Sequence, residues 1–285
     1  MQTENISKIL VAIDFSPQSI ALLDCVYDLY QDSFKEIILA HVFEDAKDAK
    51  SAGAIWQDVM NNLSKYKKEL LEKGFNVKIA APAGEPAIAI SELAKSEKAD
   101  LILIASSGKG YIQSALLGST SFDVARLADC PVFIERGRTL KPAELGAPPA
   151  RLRKVLLPTD FSLSSLEGLG ILRRLSGSVG EVLVAHVIEK SRSIEDLNTK
   201  KKEAERQLAE IVDELQSFGV SASYVIKVEG TASRVLLQLM REEDITLTIM
   251  PRTGAGLIKG LLIGSTAQAV LLNIDRPILM IPSAE

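Results

Sequence analysis

Cysteine and histidine are nearly absent from this chain, with two of each in 285 residues, and tryptophan occurs once. Two cysteines, Cys25 and Cys130, cannot build a disulfide framework, and both lie in apolar helical contexts without metal-ligand spacing, so both are read as buried free thiols. The two histidines, His41 and His186, offer neither a metal-binding pair nor a Ser-His-Asp order, and each is read as a hydrogen-bonded structural residue. No apolar run reaches the length of about 18 residues that a membrane span needs, so no membrane partner is expected. The opening MQTENISK lacks the apolar core of a signal peptide, which gives the expectation of a cytoplasmic protein. A formal net charge of −4 leaves no basic footprint, and nucleic acid is not an expected partner. There is also no GxxxxGK[ST] phosphate loop, and no GxGxxG follows the first strand.

What is present is a repeat. Asp14 and Asp160, Gly84 and Gly230, Gly108 and Gly254, Gly118 and Gly264, and Pro131 and Pro277 are all separated by 146 positions, and the two histidines by 145. A period this long means duplicated domains rather than a solenoid. Gly137–Ala150, GRTLKPAELGAPPA, is aperiodic and carries proline and glycine, which marks a linker between domains at 1–136 and 151–285. With 47% hydrophobic and 25% charged residues, each half can bury a core of its own.

Short β-rich apolar runs alternate with longer helical patterns in both halves. The first reads as strands over Lys8–Ile13, Glu36–Val42, Asn76–Ala80, Leu101–Ala105 and Val132–Glu135, with helices over Pro17–Tyr30, Ala52–Lys73, Pro86–Ser96 and Ser119–Ala128. The second repeats the order, from a strand at Lys154–Leu157 to one at Ile278–Ile281. This alternation predicts an α/β fold: two tandem doubly wound domains, each with a five-stranded parallel sheet and helices on both faces. Ile55, Val59 and Leu63 recur at helical spacing around Trp56, which predicts a core or interface stripe.

The chemistry-bearing stretch is SSGKGYIQSALLGST, Ser106–Thr120, which returns as RTGAGLIKGLLIGST, Arg252–Thr266. Each copy runs from a glycine, Gly108 or Gly254, through nine residues to Gly118-Ser119-Thr120 or Gly264-Ser265-Thr266 at a helix start. A glycine loop lets backbone approach a ligand, and a helix start offers free N–H groups at the positive end of its dipole, which together suit phosphate. The same residues also make an ordinary helix start. Asp14 and Asp160, each ending a first strand, are open to two readings: ligand contact, or electrostatic support of the following helix. Sheets of this class bind ligands beyond the carboxyl ends of their strands where strand order reverses, so neighbouring first and fourth strands would bring aspartate and loop together.

VAIDFSPQS and LLPTDFSLS at the first strands, AHVFE and AHVIE at the second, and Gly-(nine residues)-Gly-Ser after the fourth closely resemble the universal stress protein family, over nearly the whole chain. The resemblance implies a third strand at the sheet edge, central first and fourth strands, and internal pairing of the two domains through their fifth strands. It also implies ATP as ligand, with or without magnesium. Asp14 and Asp160 would then contact the adenosine part, the backbone of Val42 and Val187 would lie near the base, and Gly108, Gly118, Ser119, Thr120, Gly254, Gly264, Ser265 and Thr266 would hold phosphates. The family loop begins with a further glycine, separated by two residues from the position of Gly108 or Gly254. Where that further glycine would stand is Ala105 in one half and Pro251 in the other, and proline removes the backbone donor, so donor count favours the first half.

The function so implied is an ATP-binding stress response protein, a nucleotide-responsive regulatory module whose partners are a nucleotide, a protein of unknown identity and, in a homodimer, a second copy. Two alternatives stand beside it: a nucleotide-free scaffold or chaperone-like protein, and an ATP hydrolase. With no catalytic set in either half, hydrolysis would be slow at most.

Overall fold

The computed structural model describes residues 6–29, 36–43, 49–106, 117–136, 148–228, 230–254 and 263–282. The chain divides into two compact units, Gln2–Glu135 and Arg136–Glu285.

In the first unit the elements follow in the order β1 (Lys8–Ala12), α1 (Pro17–Ile20), α2 (Leu22–Asp28), β2 (Glu36–Ala40), α3 (Ala49–Glu72), β3 (Asn76–Ala80), α4 (Pro86–Glu97), β4 (Leu101–Ala105), α5 (Ser119–Leu127) and β5 (Val132–Glu135). Its strands lie in the order β3-β2-β1-β4-β5, and every pair is parallel. The central strands KILVA, EIILA and LILIA are almost continuously apolar because a parallel sheet is covered on both faces, whereas the edge strand NVKIA alternates exposed and buried positions. The sheet's order reverses between β1 and β4.

The second unit repeats this with β6 (Lys154–Pro158), α6 (Leu163–Arg174), β7 (Glu181–Ile188), α7 (Ile194–Ser217), β8 (Ser221–Val228), α8 (Ala232–Glu242), β9 (Leu247–Pro251), α9 (Ser265–Asn273) and β10 (Ile278–Ile281). Its strand order is β10-β9-β6-β7-β8, again all parallel. The two units meet the same local need with different residues. Asp100 Oδ2 accepts from Ser7 N–H and Lys8 N–H at 2.8 and 2.9 Å to anchor the start of β1, and Thr246, its equivalent by position, accepts from Lys154 N–H at 3.0 Å at the start of β6.

Both units are therefore α/β with parallel sheets and packed helices, as the alternating pattern predicts. Three local readings differ. The helix expected from Pro17 is interrupted at Ala21, so α1 and α2 are separate. β2 stops at Ala40, two residues short of Val42, and its pairing with the β3 segment resumes only as an isolated parallel bridge between Phe43 and Ala83, where Phe43 N–H donates to Pro82 O at 2.9 Å and Gly84 N–H to Phe43 O at 3.0 Å. Gly84, which follows this bridge, has φ 127°, and Gly230 has φ 98°, values that a side chain disfavours. In α3 the buried stripe begins at Val59 and Leu63, while Ile55 and Trp56 are about half exposed, at 51% and 48%.

Candidate functional site

Each unit has a cleft at the carboxyl ends of its strands. The first, of about 430 Å³, is lined by Asp14, Val42, Ala105, Gly118, Ser119 and Thr120 among others; the second, of about 360 Å³, by Asp160, Val187, Gly254, Gly264, Ser265 and Thr266. Twelve of the thirteen residues singled out in the sequence thus fall in two matching groups. Gly108 lies outside the described residues.

One wall of each cleft is a tight turn after the first strand. Asp14 Oδ1 accepts from Ser16 N–H at 2.9 Å and from Ser16 Oγ at 2.6 Å, and Ser16 in turn caps α1 by accepting from Ser19 N–H at 3.2 Å. Asp160 Oδ1 repeats the arrangement with Ser162 N–H at 3.1 Å and Ser162 Oγ at 2.5 Å, and Ser162 accepts from Ser165 N–H at 3.3 Å. One carboxylate oxygen therefore builds the turn that starts the helix. The other oxygen of Asp160 faces the glycine loop, where a Cβ on Gly254 would stand 2.2 Å from Oδ2.

Between aspartate and serine the chain is strained. Phe15 and Phe161 have φ of 63° and 64°, left-handed values that a bulky side chain avoids at a typical cost of about 1–3 kcal/mol. Their rings lie over the histidines, with centroids 4.8 Å from His41 and 4.4 Å from His186. His41 Nδ1 lies 2.6 Å from Ile13 O, and His186 Nδ1 lies 2.9 Å from Thr159 O. A carbonyl only accepts, so each Nδ1 carries the proton and each imidazole ties the second strand of its unit to the end of the first. The histidines are structural, and they lock the turn that presents the aspartate.

The opposite wall is the glycine loop and the helix it feeds. Ser106 N–H donates to Glu135 O at 2.9 Å, and Ser106 O accepts from Gly118 N–H at 2.6 Å; Arg252 repeats this with Ile281 O at 2.8 Å and Gly264 N–H at 2.7 Å. The loop ends are pinned together, and the N–H groups of Gly118 and Gly264 are consumed in doing so. The helix starts that follow share with α2 and α8, among the described helix starts, the lack of a side-chain cap. Ser16, Glu85, Ser162 and Ser193 cap α1, α4, α6 and α7 with their side chains, whereas α5 and α9 begin at Gly118 and Gly264 with no side-chain cap. Their φ values of −68° and −75° suit any residue. A Cβ at 264 would stand 3.4 Å from Arg252 O, an ordinary contact, so what glycine leaves out there is a side chain at the cleft wall rather than a clash. Both helices thus start on the wall of a cleft with no side-chain cap at their first turns.

The family profile of the universal stress proteins matches residues 5–136 and 151–282. This chain belongs to the universal stress protein family. Among relatives of this universal stress protein, Bacillus subtilis YxiE is 31% identical over 146 residues, which is 46% of this chain and 99% of the relative. A Mycobacterium bovis universal stress protein, Mb2028c, is 25% identical over 240 residues, 79% of this chain and 78% of its own length. Among solved structures, an Archaeoglobus fulgidus universal stress protein superposes with a TM-score of 0.72 at 20% identity, covering 99% of this chain and 98% of that one, which supports the fold.

Among the lining residues of this universal stress protein, Ile55 and Ile90 in the first cleft and Leu236 in the second escape a reading by motif, whereas Phe43, Glu189 and Arg252 stand within the repeated stretches themselves. Ser16, Phe15 and their counterparts were legible in principle, because Asp-Phe-Ser recurs whole at the 146-residue offset. Among the described residues no cluster of three or more His, Cys, Asp or Glu side chains could hold a metal ion, and no helix is long and apolar enough to cross a membrane.

Proposed function

We propose that the protein binds adenine nucleotide, ATP above all, in its two clefts and serves as a nucleotide-responsive regulatory protein rather than an efficient enzyme. The observation that carries this reading is the pair of glycine-started, side-chain-uncapped helices, each facing an aspartate-bearing turn across a cleft. Unpaired first-turn N–H groups suit phosphate, a carboxylate suits ribose hydroxyl donors, and clefts of this size suit a small ligand. Ser119, Thr120, Ser265 and Thr266 add hydroxyl donors at the same helix starts. Magnesium, where it accompanies ATP, would be held chiefly through the phosphates. Both histidines are committed to backbone carbonyls, which argues against either acting as a general base for hydrolysis. A regulatory role further requires that nucleotide favour one conformation over another, since equal affinity shifts nothing.

The test is the nucleotide content of gently purified protein, followed by titration with ATP and magnesium. Two nucleotides per chain are expected. At a ligand concentration of 100 times Kd, a single site should stabilise the fold by about 2.7 kcal/mol, which a chemical denaturation curve resolves. The sole tryptophan, Trp56, adjoins Ile55 on the wall of the first cleft, so its fluorescence should report filling of that cleft. No copurified nucleotide, no binding and unchanged stability would leave the clefts as helix-start geometry in a scaffold protein. Metal-dependent turnover well above background would instead make the protein a hydrolase.

A further inference from the structure

The two clefts differ most where the fourth strand of each unit runs into its glycine loop. β4 ends in Ala105 and passes to Ser106; β9 ends in Pro251 and passes to Arg252, at the common offset of 146. Pro251 has no N–H to offer a ligand. Arg252, one residue on, brings a planar fork of donors and a permanent positive charge. It lines the second cleft beside Gly254, Gly264 and Ser265, and both polar atoms of its backbone are held, by Ile281 O and by Gly264 N–H. Its side chain therefore springs from a fixed point on the wall where phosphate is expected.

The first cleft has no such charge. Ser106 is 2% exposed, and among the described lining residues the first cleft contains no lysine or arginine. The glycine loops do not cancel the difference, because each carries one lysine, Lys109 or Lys259. Among the described lining residues the second cleft also holds Glu189, which follows β7, two strands from β9, and whose Oε1 accepts from Ala232 N–H at 2.6 Å at the start of α8. Two strand spacings place it about 10 Å from the Arg252 side. Asp14 and Asp160 give each cleft one carboxylate beside its first strand, so Arg252 is the charge that distinguishes the glycine-loop side of the second cleft from that of the first. The first relies on neutral donors and on the apolar walls Phe43, Ile55 and Ile90.

Resting on the nucleotide reading above, we infer that Arg252 makes the second cleft a selector of phosphate charge, while the first cleft discriminates mainly by the nucleoside part of its ligand. A guanidinium pairs with phosphate oxygens in charge-assisted, often bidentate, hydrogen bonds. Its contribution grows from nucleoside to monophosphate to triphosphate, whereas apolar contact with a base does not change along that series. One chain would then report two quantities: the amount of adenine nucleotide, and its state of phosphorylation.

The experiment is calorimetric titration of the full chain, in EDTA to remove magnesium, with adenosine, AMP, ADP and ATP. It compares the wild type with Arg252→Ser, which installs the first-half residue, and with Arg252→Lys, which keeps the charge but loses the fork. In the wild type, one site should prefer ATP to AMP by about tenfold or more and the other should hardly distinguish them. Arg252→Ser should weaken ATP at the selective site by about tenfold and leave adenosine within about twofold, with Arg252→Lys intermediate. The Trp56 titration of the first cleft should not move. Equal weakening of adenosine and ATP would assign Arg252 a packing role and overturn the inference, as would ATP binding that ignores the substitution. If the wild type binds none of the four ligands, the nucleotide reading fails and this inference fails with it; binding without charge selection overturns this inference alone.

Discussion

Gly254→Ala should take the second cleft out of nucleotide binding and leave one nucleotide per chain where the wild type takes two. The added methyl would stand 2.2 Å from Asp160 Oδ2 and 3.2 Å from its Cγ, so the carboxylate and the loop cannot both keep their places. Aspartate is too short to bend aside. A χ1 rotation would carry Oδ1 away from Ser162 N–H and Oγ, at 3.1 and 2.5 Å, and loosen the turn that starts α6. Losing a turn of this capping type costs about 1 kcal/mol, enough to measure and too little to unfold the unit. Ligand loss and modest destabilisation should therefore appear together. The double variant Gly254→Ala/Asp160→Ala separates the causes: with the carboxylate gone the methyl meets nothing so close, and the two stability effects should fail to add. Calorimetric stoichiometry and chemical denaturation on the same samples provide the check. Two nucleotides per folded chain of Gly254→Ala would remove the Asp160–Gly254 wall from the binding site.

The aspartate and the glycine loop were both readable in the sequence, and so was their meeting in one crevice, because an alternating pattern of strands and helices implies a parallel sheet and the sheet has a reversal point. The repeat strengthened each reading, since a pattern that recurs at one offset is unlikely to be a local accident. The contents of the crevice were less readable. That Asp14 and Asp160 use one oxygen to build the helix-starting turn follows from a strained Phe15 or Phe161, and left-handed backbone at a bulky residue has no signature in composition. That Gly118 and Gly264 spend their own N–H groups on closing the loop depends on where the strand end stands, which periodicity does not record. The exposure of Ile55 and Trp56 illustrates the same limit. Their spacing matches a core stripe, but the sheet begins to cover α3 only near Val59. Glu189 and Arg252 stand within the repeated stretches AHVIE and Arg252–Thr266, but a charged side chain reads by default as solvated surface, and it is the cleft geometry that puts both on a wall.

Two glycines in one helix should respond to alanine with opposite signs. Gly168 and Gly170 both lie within α6, where glycine costs about 0.5–1 kcal/mol relative to alanine because its backbone loses more freedom on folding. Around Gly170 an added Cβ meets nothing within 4 Å, so Gly170→Ala should recover that difference and stabilise the protein by about 0.5–1 kcal/mol. Around Gly168 the Cβ would stand 2.5 Å from Leu157 Cδ1, with Ile249 and Ile281 behind it at 3.6 and 3.8 Å. Leu157 is fully buried in β6, and its displacement would press on a filled core. Overpacking of this kind costs about 1–3 kcal/mol, more than the helix gains, so Gly168→Ala should destabilise and Gly168→Leu should do so further. The first unit shows how the chain accommodates a larger residue at this position. Leu22, the counterpart of Gly168 at the 146-residue offset, is fully buried, and there the helix is not continuous but breaks at Ala21 into α1 and α2. A small residue at 168 lets α6 lie directly on β6 and β9 as one helix, and that helix begins at the turn holding Asp160. Gly168→Leu should therefore also loosen the second cleft, lowering its nucleotide affinity with no change in any residue that lines it. Denaturation curves give the sign of each stability change, and titration of the folded variants gives the affinity. Stabilisation by Gly168→Ala equal to that by Gly170→Ala would show that α6 is not seated on the sheet as closely as its contact with Leu157 implies.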